Sequence, residues 1–362
     1  MIAASLPIQR PPDAKLLALA VDGTLTHWSR SDFVTLLQPG DVVIANDAAT
    51  LPASLSGRHL PTGRPIEVRL AGRESLGHDA VKRFSAVLFG EGDFRTRTED
   101  RLLPPEVTPG DRLSLGPLRA TVSQVLNHPR LIGIEFDGAP REIWEGLARH
   151  GRPIQYAHVP HSLALWDTWT PIAGPPVAFE PPSAGFAIDW SVLTMMKARG
   201  VRFATLTHAA GLSSTGDPAL DALLPFDEPY AIPPRTADLI AHARQERARI
   251  IAVGTTVVRA LEHAGRADGM VPAGDGLATQ RIGPDTRLLV VDALLSGTHE
   301  PGTSHYQLLR AFVDDTTLRR VERELDARAY YTHEFGDSIF IEHARPGLEF
   351  SFVSASIQPQ PT

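Results

Sequence analysis

Two stretches of this chain concentrate side chains that move protons or grip polar ligands. THAAGLSSTGD, residues 207–217, holds His208, Gly211, Ser213, Ser214, Thr215 and Asp217. SGTHEPGTSH, residues 296–305, holds Ser296, His299, Glu300 and His305. Each follows an apolar run, 201–206 in one case and 288–295 in the other. A linker has this composition, and so do the two walls of a binding site. A lone histidine is usually structural or solvated. Two of them, each a few residues past a strand end, favour proton transfer or substrate orientation. His208 and His299 are therefore candidate catalytic residues. Glu228, in PFDEPY, is a third, with a solvated turn between Pro225 and Pro229 as the plain alternative. Neither histidine has metal-ligand spacing such as H-E-x-x-H, so no metal is assigned.

A third segment supplies a different chemistry. Gly254-Thr255-Thr256 ends the apolar run 249–253 and opens the helical pattern VVRALE. A helix start exposes unpaired N–H groups and partial positive charge, a natural seat for a carboxylate or phosphate. Thr255 or Thr256 serves equally well as an N-cap. Arg259 and Glu262, three apart on one helix face, have the spacing of a surface pair.

These residues need a frame. From Ala187 onward helices and apolar strands alternate: helix 190–199 with strand 201–206, helix 236–247 with strand 249–253, strand 288–292 with helix 304–313, and helix 318–329 with strand 338–342. That rhythm predicts an α/β fold with a mostly parallel sheet covered by helices. Strands at 15–20 and 41–45, with a helical pattern at 31–37 between them, belong to the same unit. Between 57 and 138 the texture changes. PIEVRLAG, FSAVLFGEG, DRLSLG, LRATVSQVL and RLIGIEFDG recur between turn residues, which predicts an inserted antiparallel β-barrel. Residues 142–150 read as a helix, and the Pro-, Trp- and Thr-rich stretch after it takes no clear assignment. The division is 1–56 and 151–345 for the α/β catalytic unit, 57–150 for the barrel, and 346–362 for a tail. Ligands of open α/β sheets sit beyond the carboxyl ends of the strands, where all three chemical segments fall.

Composition narrows the class. The 362 residues are 43% hydrophobic and 21% charged, an ordinary globular balance. With no cysteine, disulfides, thiol nucleophiles and Cys-held metals are excluded. The net charge of −7 argues against broad nucleic-acid binding without excluding a local basic patch. No apolar run reaches membrane-spanning length, and MIAASLPIQRPP lacks a basic start and apolar core, so a cytoplasmic location without membrane contact is expected. AVDGTLT, at 20–26, is similar to a haloacid-dehalogenase signature but has Ala20 where that chemistry needs aspartate; a turn at Asp22-Gly23 is the better reading. GDGLA, at 274–278, lacks the three glycines and the helix of a dinucleotide fingerprint.

The ordered set of segments resembles the S-adenosylmethionine:tRNA ribosyltransferase-isomerase family of queuosine biosynthesis. GDVVIANDAAT resembles its G-D-x-x-x-x-N-D, PPSAGF its A-P-T-A-G-L-H-F, and TLTHAAG its T-L-H-V-G. DEPY resembles its H-x-E-x-Y region, GTTVVRALE its G-T-T-x-x-R-x-L-E, VDALLSGTHEPGTS its V-D-x-L-x-T-N-F-H-L-P-x-S, and EFGDSIFIE its S-Y-G-D-A-M-L-I. The likeness spans nearly the whole chain and implies an α/β domain interrupted by a β-barrel. It implies transfer and isomerisation of the ribosyl moiety of S-adenosylmethionine onto 7-aminomethyl-7-deazaguanine in tRNA, with loss of adenine and methionine. S-adenosylmethionine is then a substrate, and no separate cofactor or metal is implied. The partners are that nucleoside and a tRNA. Asn46, Asp47, Ser183, Gly185, Thr255, Thr256, Arg259 and Asp337 become expected substrate-binding residues beside His208, His299 and Glu228. The chain departs from the pattern at Ala187 and Phe226, where histidines are expected, and at Gly297-Thr298, where Asn-Phe is expected. The stretch LWDTWTPIA stands where Y-Q-T-V-Y-A is expected. Those departures keep two alternatives open: a paralogue with a non-tRNA acceptor, and a non-catalytic nucleoside-binding protein.

Overall fold

A computed structural model describes residues 1–343. Its centre is a nine-stranded sheet. In chain order the strands are β1 (Lys15–Leu19), β2 (Leu25–Ser29), β3 (Val42–Asn46), β4 (Arg202–His208), β5 (Glu228–Ile232), β6 (Ile250–Val253), β7 (Gly274–Ala278), β8 (Ala293–Gly297) and β9 (Ser338–Glu342). Across the sheet they run β7-β5-β4-β3-β6-β8-β9-β1-β2. The middle four, β4-β3-β6-β8, are mutually parallel. β5 and β7 add an antiparallel edge, and β9-β1-β2 extend the other side.

The parallel centre is buried on both faces, which is why its strands read as unbroken apolar runs. Val42 and Ile44 of β3, Ile250 and Ala252 of β6, and Leu294 of β8 face one core. Val43, Ala45, Ile251, Val253 and Leu295 face the other. Side chains alternate across a strand, so each run feeds two cores. The first face is covered by α2 (Pro234–Gln245), α3 (Thr255–Ala264) and α4 (Asp315–Ala327), through Ile240, Val257, Leu261 and Val321 among others. The second takes α1 (Trp190–Ala198), through Val192 and Met196, and the 3-10 helix Arg30–Leu36, through Phe33 and Val34.

Six antiparallel strands between Ser54 and Phe136 close into a barrel, with spatial order 118–125, 131–136, 83–89, 65–72, 54–59 and 112–115. Five of these are the runs singled out in the sequence. The sixth, Ser54–His59, was not: SLSGRH offers few apolar residues to its inward face. The barrel core continues into Leu51, Phe179, Ala210 and Leu212 of the flanking unit, and the helix Pro140–His150 packs on it through Ile143 and Leu147. The chain enters and leaves it at one bridge, where Ser54 and Arg152 exchange hydrogen bonds of 2.9 Å in both directions.

Two local expectations change. Residues 288–292 are not a strand; the strand is Ala293–Gly297. The Glu262 carboxylate accepts from the N–H groups of Leu289, Val290 and Val291, which diverts that backbone from the sheet. Glu262 is thus buried and not half of a surface pair. The helix expected over 304–313 shortens to Ser304–Leu309. Asp22-Gly23 forms the turn between β1 and β2, with Gly23 at φ +83° and Thr24 N–H bound to Asp22 Oδ1 at 2.8 Å. The tail expected over 346–362 lies outside the described residues, among which no helix is long and apolar enough to cross a membrane.

Candidate active site

The 207–217 and 296–305 loops line one cleft of about 480 Å³ at the carboxyl ends of β4, β6 and β8. The turn Gly254-Thr255-Thr256 sits between them. Its size falls in the range of small-molecule sites. Gly254 makes the turn possible: φ is +95°, a conformation a Cβ strains. It is itself the N-cap of α3, and neither threonine side chain caps the helix. Thr255 and Thr256 also line an adjoining hollow of about 270 Å³, together with Gly211, Glu228, Arg259 and His305.

His299 sits in the cleft wall. Its Nε2 is 2.8 Å from Ser296 Oγ, and its ring stacks on His305 with centroids 4.9 Å apart. Burial, then the nearby His305 and His333, push the His299 imidazole well below the usual histidine range. That shift favours the neutral imidazole, with one unprotonated ring nitrogen. His305 is also pushed down, mainly by burial.

His208 lies elsewhere. It is 0% exposed and does not line the cleft. Its Nδ1–H donates to Thr256 O at 2.8 Å, and its Nε2 lies 3.1 Å from Glu228 Oε2, off the hydrogen-bond line. Glu228 opens strand β5 instead of sitting in a solvated turn. Its carboxylate takes the Gly211 N–H at 2.6 Å and pairs with Arg259. Burial alone would raise this carboxyl; His208, Arg259 and the Gly211 amide outweigh it and hold the group below its ordinary range. Arg259 directs its other donors to the carbonyls of Phe226, Ala278 and Gln280. His208, Glu228 and Arg259 therefore form a buried brace that positions the Gly211 loop and the Thr256 turn. Arg259 thus spends four of its N–H donors within the fold while still lining the adjoining hollow with Glu228.

The remaining expected residues divide in the same way. Ser183 lines the cleft. Gly185, in the 3-10 turn Ser183–Ala187, is buried where a Cβ would come within 3.0 Å of Thr170 Cγ2. Asn46 is 1% exposed and spends its amide on His208 O and N, Ala48 N and Thr256 Oγ1. Asp47 accepts from Thr205 and Thr207 hydroxyls at 2.8 and 2.6 Å. Asp337 accepts from the N–H groups of Lys15 and Tyr331 at 2.7 and 2.8 Å, stapling β9 to its neighbours. None of these three is among the residues lining the cleft, and each engages its polar group within the fold.

Sequence reasoning missed a polar wall facing His299. Tyr156, His158, Glu180, His333 and Glu334 all line the cleft. Tyr156 and His158 lie in the stretch left unassigned, and Glu180 directly precedes PPSAGF. The Tyr156 hydroxyl donates to Glu180 Oε1. His158 Nε2 is 3.0 Å from Glu334 Oε2, and His158 stacks on His333 at 4.1 Å. Burial drives Glu180 up to about 7, with Glu334 adding to the rise and hydrogen bonds opposing it. Arg97, Thr98 and Glu99 of the barrel complete the rim.

The model of the queuosine biosynthesis protein family matches residues 1–341. The chain belongs to that family. Among its relatives, the S-adenosylmethionine:tRNA ribosyltransferase-isomerase of Ralstonia nicotianae is 30% identical over 352 residues, covering 96% of this chain and 92% of the relative. The protein of the same name from Sorangium cellulosum is 32% identical, covering 93% and 95%. In structure, this family member is similar to the crystal structure of an S-adenosylmethionine tRNA ribosyltransferase from Thermotoga maritima. The TM-score is 0.50 at 22% identity, over 94% of this chain and 96% of that one, a likeness of fold.

Proposed function

We propose that this chain is an S-adenosylmethionine-dependent ribosyltransferase-isomerase. It moves and isomerises the ribosyl moiety of S-adenosylmethionine onto 7-aminomethyl-7-deazaguanine in tRNA, giving epoxyqueuosine and releasing adenine and methionine. The observation that carries this is the cleft at the carboxyl ends of β4, β6 and β8, whose lining includes residues of several segments that resemble the family's motifs. Family membership across the chain supports the same reaction.

In this reading Thr255, Thr256 and Ser183 hold the methionine carboxylate or another anionic part, helped by the α3 N-terminus. His299, held by Ser296, removes or returns a proton next to the sulfonium. His208, Glu228 and Arg259 position the walls and do not touch substrate. Asn46 and Asp337 act through the backbone they hold, Asp47 through the Thr205 and Thr207 hydroxyls, and Gly185 through the close approach to Thr170 that it permits. The catalytic unit, expected over 1–56 and 151–345, is placed in this reading at 1–53 and 152–343 of the described residues, because Ser54 already opens a barrel strand, and the insert between them lends Arg97–Glu99 to the rim. S-adenosylmethionine serves as substrate with no further cofactor, in the cytoplasm. The test is adenine release from S-adenosylmethionine, with and without tRNA carrying aminomethyl-deazaguanine. Release only with that tRNA is expected. Binding of S-adenosylmethionine without release in either arm would overturn the reading.

A further inference from the structure

The wall opposite His299 carries chemistry that the roles above do not use. Two carboxylates, buried Glu180 and half-buried Glu334, line the same cleft. Each is fixed by its own partner. The Tyr156 hydroxyl donates to Glu180, and Tyr156 is itself held by Ser213 Oγ at 3.2 Å and Ser214 N at 3.3 Å. His158 holds Glu334 at 3.0 Å. The charged and titratable groups facing Glu180 are Tyr156, Arg69, Glu334 and, through Glu334, His158 and His333. Arg69 pairs with Glu67 through Nε and lies outside the cleft lining, with its Nη1 unpartnered, and Arg97 pairs with Glu99 at the exposed rim. Among the described residues Arg97 is the one arginine or lysine that lines the cleft, and Glu334 adds a second carboxylate to it. Like charges in one site are relieved by a cation placed between them.

The acceptor in the reading above is a primary amine, and a free alkyl amine is mostly ammonium at neutral pH. It must lose a proton before it can attack carbon. We infer that Glu180, with Glu334 beside it, forms the subsite for the acceptor's aminomethyl group, holding it as an ammonium and taking one proton from it. The step balances simply. One N–H bond breaks, its electron pair stays on nitrogen as the attacking lone pair, and the proton ends on Glu180. Ammonium and carboxylate become amine and carboxylic acid. Tyr156 positions the carboxyl, and Glu334 retains a negative charge to orient the amine. That charge is secured by His158: burial would raise Glu334, but the His158 hydrogen bond and charge hold it below its ordinary range. The upward push on Glu180 suits a group that accepts a proton near neutrality.

The inference rests on the ribosyl-transfer reading, and the experiment separates the two. Wild-type protein and Glu180→Gln are compared for S-adenosylmethionine affinity by calorimetry. Both are then assayed for adenine release with the aminomethyl-deazaguanine tRNA from pH 5.5 to 8.5. Glu180→Gln is expected to keep the S-adenosylmethionine Kd within about threefold and to lower kcat/KM for the acceptor by about 100-fold at pH 7. The wild-type rise in kcat/KM with an inflection near 7 should vanish in the variant. Acceptor kcat/KM within threefold of wild type, or an unchanged pH profile, would overturn the inference and leave the reading standing. So would an equal loss in S-adenosylmethionine affinity, which marks a structural role. No adenine release by the wild type would overturn both.

Discussion

Replacing Glu180 by glutamine should stabilise the protein at alkaline pH and leave it nearly unchanged in acid. The carboxyl is 8% exposed and is moved from an ordinary 4.5 to about 7 in the fold. A carboxyl raised in this way disfavours the folded state once it must ionise. Its contribution is intact below about pH 4.5 and is lost as pH rises through about 7. At about 1.4 kcal/mol per pH unit the full loss is about 3 kcal/mol by pH 8. Glutamine keeps an acceptor for the Tyr156 hydroxyl and never ionises. The difference between variant and wild type should therefore grow from near zero at about pH 4 to about 3 kcal/mol at about pH 8. For a chain of this length that is about 4 °C in Tm. Urea unfolding and thermal melts of both proteins across that range provide the assay. Distant titrating groups are common to both and cancel in the difference. Parallel stability curves would refute the reasoning, because they would mean Glu180 ionises in the fold as freely as in water.

Glu228→Gln removes the charge partner of buried Arg259, so a loss of about 3–5 kcal/mol in unfolding free energy is expected. Adenine release per folded molecule should fall less than tenfold; a larger fall with unchanged Tm would return Glu228 to direct chemistry. Gly254→Ala forces a Cβ onto a backbone at φ +95°. It should cost about 1–3 kcal/mol and weaken S-adenosylmethionine binding by calorimetry. Ser296→Ala frees the His299 ring, and kcat should drop about tenfold while S-adenosylmethionine affinity holds, seen as a kcat change without a KM change.

Which parts of this protein were legible in its sequence follows from the physics of each segment. IIAV and VVIAN are buried on both faces, so their apolar runs announce strands. LLVVDALL announces one too, but periodicity cannot say which half pairs. That is decided by Glu262, a side chain distant in sequence, which claims the amides of 289–291. The barrel strand SLSGRH hides because it is half polar. In the site, GTT and the two histidine-bearing loops were legible as strand-end segments. Whether His208 points into the cleft or away from it was not, since that depends on Glu228 and Arg259 from other elements. Asn46, Asp47 and Asp337 carry oxygens that a ligand or the fold can use, and sequence alone does not show their bonds to backbone amides and threonine hydroxyls. Tyr156, His158 and Glu180 were illegible: they lie in a stretch without periodicity, positioned only by the loops they meet.

The bridge between Ser54 and Arg152 also bears on how the chain finds its fold. Strands β3 and β4 lie side by side at the centre of the sheet, yet about 155 residues separate them. Long closures are slow because the entropy of joining the ends precedes the contacts that reward it. The barrel strands, by contrast, meet mostly their sequence neighbours. A barrel formed first, with its ends tied at that bridge, works as a short circuit. It cuts the effective path between β3 and β4 to about 60 residues and lowers the closure cost by about 0.9 kcal/mol. The insert that contributes a rim to the cleft thus also brings within reach the strands that carry its floor.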